Sequence, residues 1–224
     1  MNDTQELYPI MARLSGKTCV VVGGGPVGWR KAAGLLACGA RTVVVAPDAV
    51  PALGAAARDG RLVWHRRAFA PGDLAGAALA FAATDDAATN ALVRAEAARE
   101  GVWLNAAYEA GEGDFVVPSA VRRGKLVLAA TTGGASPLLA RRIAAEWEET
   151  YGAEYAAYVE LLERLRRDVQ ASGAEAGRKL AALGRLLDAG ALERLRAGEP
   201  PEVVEADCRA MVAGWLNGED GDNP

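Results

Sequence analysis

One stretch, TCVVVGGGPVGWRKAAGLLACGARTVVVA at residues 18–46, constrains the fold more than any other. Thr18–Val22 is a short apolar run rich in β-branched residues, which predicts a buried strand. It enters Gly23-Gly24-Gly25 without a break. A helical pattern then runs from Pro26 to about Cys38, with Pro26 suited to the first helical position and Gly39 to the end. Thr42–Ala46 predicts a second buried strand, closed by Pro47 and Asp48. Gly23, Gly25 and Gly28 spell G-x-G-x-x-G between the strand and the helix, the setting in which that pattern carries meaning. Gly23 allows the tight turn, Gly25 lets the backbone approach a pyrophosphate, and Gly28 lets helix and strand pack closely. The helix start offers free N–H groups and a positive dipole end to an anion. The competing reading is a tight strand-to-helix turn with no ligand.

The chain continues in the same rhythm. Residues 50–59 read as a short helix, Arg61–His65 as a third strand, and Leu79–Ala83 as a fourth that ends in Thr84-Asp85-Asp86. Ala87–Glu100 is helical and Val102–Asn105 is a fifth strand. Strands alternating with helices at this spacing predict an α/β domain built on a parallel sheet. From about residue 114 the pattern changes. Phe115–Val117 and Leu126–Ala130 read as two strands joined through Arg122-Arg123-Gly124-Lys125, and a helix is expected to begin near Pro137. Residues 138–216 are almost wholly helical in pattern, with Tyr155, Tyr158, Val159, Leu162, Leu165 and Val169 on one stripe. Gly173, Gly190 and Pro200-Pro201 punctuate the later helices.

Composition narrows the function. The formal net charge of −4 gives no global basic field for nucleic acid or an anionic membrane, so an anionic ligand needs a local basic patch. Three widely spaced cysteines, Cys19, Cys38 and Cys208, suit neither a disulfide framework nor a zinc site. The single histidine, His65, falls in a strand pattern and reads as structural rather than as a metal ligand. No metal site is expected. The N-terminus has no signal-peptide pattern and no stretch reaches bilayer length, so a soluble, cytoplasmic protein is expected.

Candidate ligand residues follow from the sheet. Gly23, Gly25, Pro26, Val27 and Gly28 form the phosphate loop. Asp48 lies 20 residues beyond Gly28, the spacing of an acidic residue that accepts from the adenosine ribose. It is equally suited to a turn after Pro47. In the ribose role it would repel a 2′-phosphate and favour NAD over NADP. Thr84 and Asp85 stand at the carboxyl end of the fourth strand, where ligands of open parallel sheets bind, and Asn105 ends the fifth. Asp85 or Asp86 also suits a cap for the helix that follows.

The run YPIMARLSGKTCVVVGGGPVGWRKAAGLLACGA resembles the start of the siroheme-synthase dehydrogenase module, the precorrin-2 dehydrogenases with or without sirohydrochlorin ferrochelatase activity. AATDD at 82–86, GDFVVPSAVRRGKL at 113–126 and TTGGASPLLARRI at 131–143 match the family pattern in the same order. The likeness covers about residues 8–150, and the rest is a generic helical tail. It implies an NAD-binding Rossmann domain over 1–113, a central strand-containing dimerisation region over 114–148 and a helical C-terminal domain over 149–224. It implies a homodimer that oxidises precorrin-2 to sirohydrochlorin with NAD taking the hydride. A chain of 224 residues is too short for the methyltransferase fused to larger members, so methylation is expected elsewhere. The substrate's many carboxylates call for local cations. Arg122, Arg123 and Lys125 form one cluster, and Arg141 and Arg142 another; a guanidinium can grip a carboxylate with two hydrogen bonds. Both clusters also fit ordinary solvated surface. Thr131 and Thr132 either line the tetrapyrrole cleft or cap the helix near Pro137.

One departure stands out. After the fifth strand the family reads N-V-V-D-D or N-V-V-D-A, with the first aspartate tied to dehydrogenation and metal insertion. This chain reads Asn105-Ala106-Ala107-Tyr108-Glu109, in step with Asp114, Phe115 and Pro118. Tyr108 therefore takes the aspartate's place. A phenol, with an ordinary pKa near 10, is neutral at pH 7 and cannot act as a carboxylate base. Glu109 next door, and less directly Asp114, are the carboxylates left to replace it. Dehydrogenation is expected to persist and chelation to be weak or absent. The alternatives are a bifunctional dehydrogenase and ferrochelatase using Glu109, and a non-catalytic protein that binds NAD or the tetrapyrrole.

Overall fold

The computed structural model describes residues 7–107 and 112–218. These fall into two compact units, one running to Val117 and including Gly133–Ala135, the other comprising Pro118–Thr132 and the chain from Ser136 onward.

The first unit is a parallel sheet with covered faces. Its strands are β1 (Thr18–Val22), β2 (Arg41–Val45), β3 (Val63–His65), β4 (Leu79–Ala82) and β5 (Trp103–Ala106), in the spatial order β3-β2-β1-β4-β5. All four pairings are parallel, and Val20 of β1 faces Val43 on one side and Ala80 on the other. Alternate residues feed two cores, as a strand with period two dictates. Cys19, Val21, Val44 and Phe81 pack with helices α1 (Pro26–Ala37) and α2 (Pro51–Arg58). Val20, Val22, Val45 and Ala80 pack with helix α3 (Ala87–Glu100). The continuous Val-rich runs of β1 and β2 are the sequence expression of that double burial.

No helix links β3 to β4. The segment 66–78 covers the sheet by turns, and a buried carboxylate holds it. Glu96 on α3, 3 % exposed, accepts from Gly72 N–H at 2.8 Å and Leu74 N–H at 3.1 Å. This seats Leu74, wholly buried, in the core. Arg67 and Asp73 brace the same segment with a two-pronged pair at 2.7 and 2.6 Å. That pairing holds the Asp73 carboxyl below its ordinary range. Glu96→Leu strands the buried Leu74 N–H, at a cost of about 1–3 kcal/mol, and also removes the acceptor of the more exposed Gly72 N–H. We expect it to destabilise the first unit by about 3 kcal/mol, measured by urea unfolding of the full chain.

The second unit pairs a hairpin with helices. Strand β6 (Ser119–Arg123) runs antiparallel to β7 (Leu126–Ala130), turning at Gly124 with φ 56°. Helix α4 (Pro137–Thr150) packs on both strands. Helices α5 (Glu154–Ala171), α6 (Ala176–Leu187), α7 (Ala191–Arg196) and α8 (Pro201–Asn217) enclose Leu161, Leu165, Val169, Leu186, Val204 and Cys208. Arg164 and Arg209 converge on Glu205 at 2.7 Å each, clasping α5 to α8 and holding the Glu205 carboxyl below its usual range.

Three expectations are corrected. The third strand begins at Val63, not Arg61, because Arg61 N–H bonds back to Ala56 O and closes α2 through Gly60 at φ 71°. Phe115–Val117 is not a strand: the Phe115 ring packs edge-on to Phe81 at 5.5 Å, and Pro118, which has no N–H to give a ladder, precedes the true strand. On α5 the fully inward stripe is Tyr158, Leu161, Leu165 and Val169, so Leu161 belongs to it while Val159 and Leu162 are only half-buried. Among the described residues no helix is long and apolar enough to cross a membrane.

Candidate dinucleotide site

The chain leaves β1 for β2 and β3 on one side of the sheet, then crosses to β4 and β5 on the other. The carboxyl ends of β1 and β4 are therefore a topological switch point, where open α/β sheets bind ligands. The glycine loop sits there. A Cβ on Gly23, at φ 124°, would meet Ala83 O at 2.3 Å. One on Gly24 would meet Asp48 O at 2.0 Å, and one on Gly28 would meet Gly23 O at 2.0 Å. Gly24, absent from the residues singled out by the motif, is as constrained as Gly23 and Gly28; its signal was the middle place in an unbroken run of three glycines. The loop is also tied to the sheet, with Gly23 N–H on Val45 O at 3.0 Å and Val50 N–H on Gly24 O at 2.9 Å.

Gly25 differs. A Cβ there would meet nothing within 4 Å among the described residues. It is the N-cap of α1, whose first turn carries neither a capping side chain nor an acid. Helix α3, by contrast, is capped by Asp86, and α4 by Ser136. The α1 N-terminus thus presents uncapped N–H groups beside open space, which fits a phosphate group. Pro26 occupies the first helical position and Val27 packs half-buried on the α1 core. Gly25→Ala is expected to leave thermal stability within about 0.5 kcal/mol while weakening dinucleotide binding at least about tenfold, read by calorimetric titration.

The flanking candidates lie around this loop. Pro47 and Asp48 follow β2, both exposed. The Asp48 carboxylate stands 3.8 Å from the Arg66 guanidinium, which lies over the Trp64 ring at 5.5 Å. Trp64 is held by its Nε1–H on Ala46 O at 2.9 Å. Arg66 went unnoticed in the sequence because nothing local tied it to Asp48. Beyond β4, the Thr84 hydroxyl accepts from Asp86 N–H at 3.1 Å and donates to Asn90 Oδ1 at 2.9 Å. Asp86 rather than Asp85 caps α3, accepting from Thr89 N–H at 2.9 Å, and Asp85 is exposed.

Beyond β5, Asn105 is buried and its Nδ2 donates to Phe115 O at 2.9 Å. Tyr108 and Glu109 lie outside the described residues. The chain on either side is pinned. Ala107 N–H bonds Ala82 O at 2.9 Å, Glu112 pairs with Arg94, and a Cβ on Gly113 would meet Leu104 O at 2.7 Å. Asp114 exchanges two 2.8 Å bonds with Leu104, its N–H to the carbonyl and its Oδ2 from the N–H. Its carboxylate is thus engaged along the edge of β5.

In the second unit, Arg122 is exposed on β6. Arg123 donates to Tyr151 O at 2.8 Å and Glu148 O at 3.2 Å, serving the last carbonyls of α4. Lys125 pairs with Glu163, and Arg142 with Glu146 at 3.2 Å. Arg141 is exposed on α4. Thr131 is exposed, and Thr132 Oγ1 accepts from Ser136 N–H at 2.8 Å. Ser136, not either threonine, caps α4 by accepting from Leu139 N–H at 3.3 Å.

Comparison with known proteins agrees with this arrangement. Residues 10–119 match a family model described as "Putative NAD(P)-binding". The siroheme synthase of Chromobacterium violaceum is 41% identical over 150 residues, 67% of this chain and 32% of that protein. Siroheme synthase 1 of Aeromonas salmonicida is 37% identical over 184 residues, 82% of this chain and 39% of that protein. The siroheme synthase of Nitrosococcus oceani is 32% identical over 213 residues, 94% of this chain and 45% of that protein. The chain thus spans less than half the length of these curated relatives. The solved structure of SirC, a precorrin-2 dehydrogenase, superposes with a TM-score of 0.76 at 28% identity, covering 92% of this chain and 99% of that one. With its NAD(P)-binding domain at the N-terminus, the chain belongs to the siroheme synthase N-terminal, or precorrin-2 dehydrogenase, family.

Proposed function

We propose that this protein is an NAD-dependent precorrin-2 dehydrogenase, which oxidises precorrin-2 to sirohydrochlorin in siroheme biosynthesis. The observation that carries this reading is the glycine cradle at the switch point, in a chain alike to SirC over nearly the whole of both. When bound, the dinucleotide supplies a hydride acceptor. The residues do the rest. Gly23, Gly25, Pro26, Val27 and Gly28 seat the pyrophosphate, Pro47 and Asp48 the adenosine, and Thr84, Asp85 and Asn105 the part of the cofactor over β4 and β5. Oxidation removes one hydride and one proton from the tetrapyrrole. Tyr108, Glu109 and Asp114 are the candidate groups for the proton. Arg122, Arg123, Thr131, Thr132 and Arg141 are the candidate substrate contacts, with Arg122 and Arg141 the exposed guanidiniums among them. Positioning, more than acid–base help, sets such a transfer.

The same reading includes a homodimer formed through the central region 114–148, between a Rossmann domain over 1–113 and a helical domain over 149–224. It makes the cytoplasm the place of work.

Cofactor choice tests the reading. Asp48 as ribose acceptor favours NAD, while Arg66 beside it is a latent partner for a 2′-phosphate. The native chain is expected to reduce NAD in preference to NADP when supplied with precorrin-2. Asp48→Ala is expected to weaken NAD about tenfold and reduce the preference by freeing Arg66. Native preference for NADP would overturn the assignment of Asp48.

A further inference from the structure

Asn105 is the third residue of β5, in register with Phe81 of β4 and 6 % exposed. The orientation of its amide is fixed. Nδ2 donates to the Phe115 carbonyl, which can only accept, so the oxygen cannot take that place. Oδ1 is left buried and, among the described residues, without a hydrogen-bond partner. A buried acceptor in that condition is costly, and native proteins keep few of them. Holding Phe115 needs only Nδ2, so the clamp does not account for the oxygen.

Position suggests what does. With the pyrophosphate at Gly25 and the adenosine over β2 toward Asp48, the other half of a dinucleotide extends over β4 and β5. That half ends in a ring carrying a carboxamide, which has an N–H to give. Asn105 lies one residue short of the carboxyl end of β5. We propose that Asn105 Oδ1 accepts a hydrogen bond from the carboxamide N–H of the cofactor's nicotinamide. The contact would set the rotation of the ring, and with it the face offered to the substrate. This rests on the dinucleotide reading above.

The test is calorimetric titration of the full chain with NAD and with its 3-acetylpyridine analogue. The analogue keeps the carbonyl and replaces the amide NH₂ with a methyl group. The native protein is expected to bind the analogue about tenfold more weakly. Asn105→Leu is expected to lose about tenfold for NAD and little for the analogue, erasing the difference. Equal binding of both ligands by the native chain overturns the proposal without any variant. So does an equal loss for both ligands in a folded Asn105→Leu protein, which would reduce Asn105 to its clamp on Phe115. If the native chain binds neither ligand, the dinucleotide reading itself fails, and the proposal falls with it.

Discussion

Gly28→Ala is expected to lose dinucleotide binding below detection and to destabilise the first unit by about 3 kcal/mol. The added methyl would sit 2.0 Å from the Gly23 carbonyl oxygen, a backbone atom with no rotamer to yield. Relief requires α1 to move away from β1 or the Gly23 turn to shift. Helix displacement unpacks Ala32 and Leu35 from Val21 and Phe81, all buried in one core. Overpacking of this kind usually costs about 1–3 kcal/mol, and the upper end applies where backbone meets backbone. The turn is no freer: Gly23 is already at φ 124°, with Ala83 O where its own Cβ would be. Urea unfolding reports the stability loss and calorimetry the binding loss. Beside Gly25→Ala, which is expected to cost binding alone, the pair separates the scaffold's use of glycine from the ligand's. A Gly28→Ala protein with native stability and affinity would mean that helix and strand do not meet as described.

Tyr108→Asp is the second large effect. It restores a carboxylate at the position where the family carries one. An acid–base group typically contributes about 10² to 10⁴ in rate. Insertion of ferrous iron into sirohydrochlorin displaces pyrrole protons, and a neutral phenol is a poor acceptor for them. The native chain is therefore expected to show little chelation, and Tyr108→Asp to raise it by at least about 10². Sirohydrochlorin absorbance under anaerobic conditions, with and without ferrous iron, measures both. Native chelation as fast as the variant's would mean that Glu109 or another group already does the aspartate's work.

What the sequence could reveal tracks how local each cause is. The strand, glycine turn and helix of 18–46 are neighbours in the chain, so their contacts could be read directly. The parallel sheet followed from the spacing of strands and helices. Glu96 could not be read this way, because its two donors, Gly72 and Leu74, are more than twenty residues away and nothing in α3 marks it as buried. Phe115 misled for a related reason: an apolar triplet looks like a strand until Phe81 supplies the ring it packs against. The caps needed geometry too. Thr132 and Ser136 are both plausible before Pro137, and only backbone direction decides that Ser136 takes the Leu139 N–H. Asn105 stood out in sequence as a strand-end amide, but its unmet oxygen appears only once Phe115 is seen to claim the other end.

The most direct measurement is anaerobic incubation of the native protein with precorrin-2 and NAD, following NADH and sirohydrochlorin together. The account predicts that both appear, one for one, without Tyr108 being changed. Binding of NAD with no turnover, and turnover appearing only in Tyr108→Asp, would contradict it and leave a protein that holds the ligands without performing the oxidation.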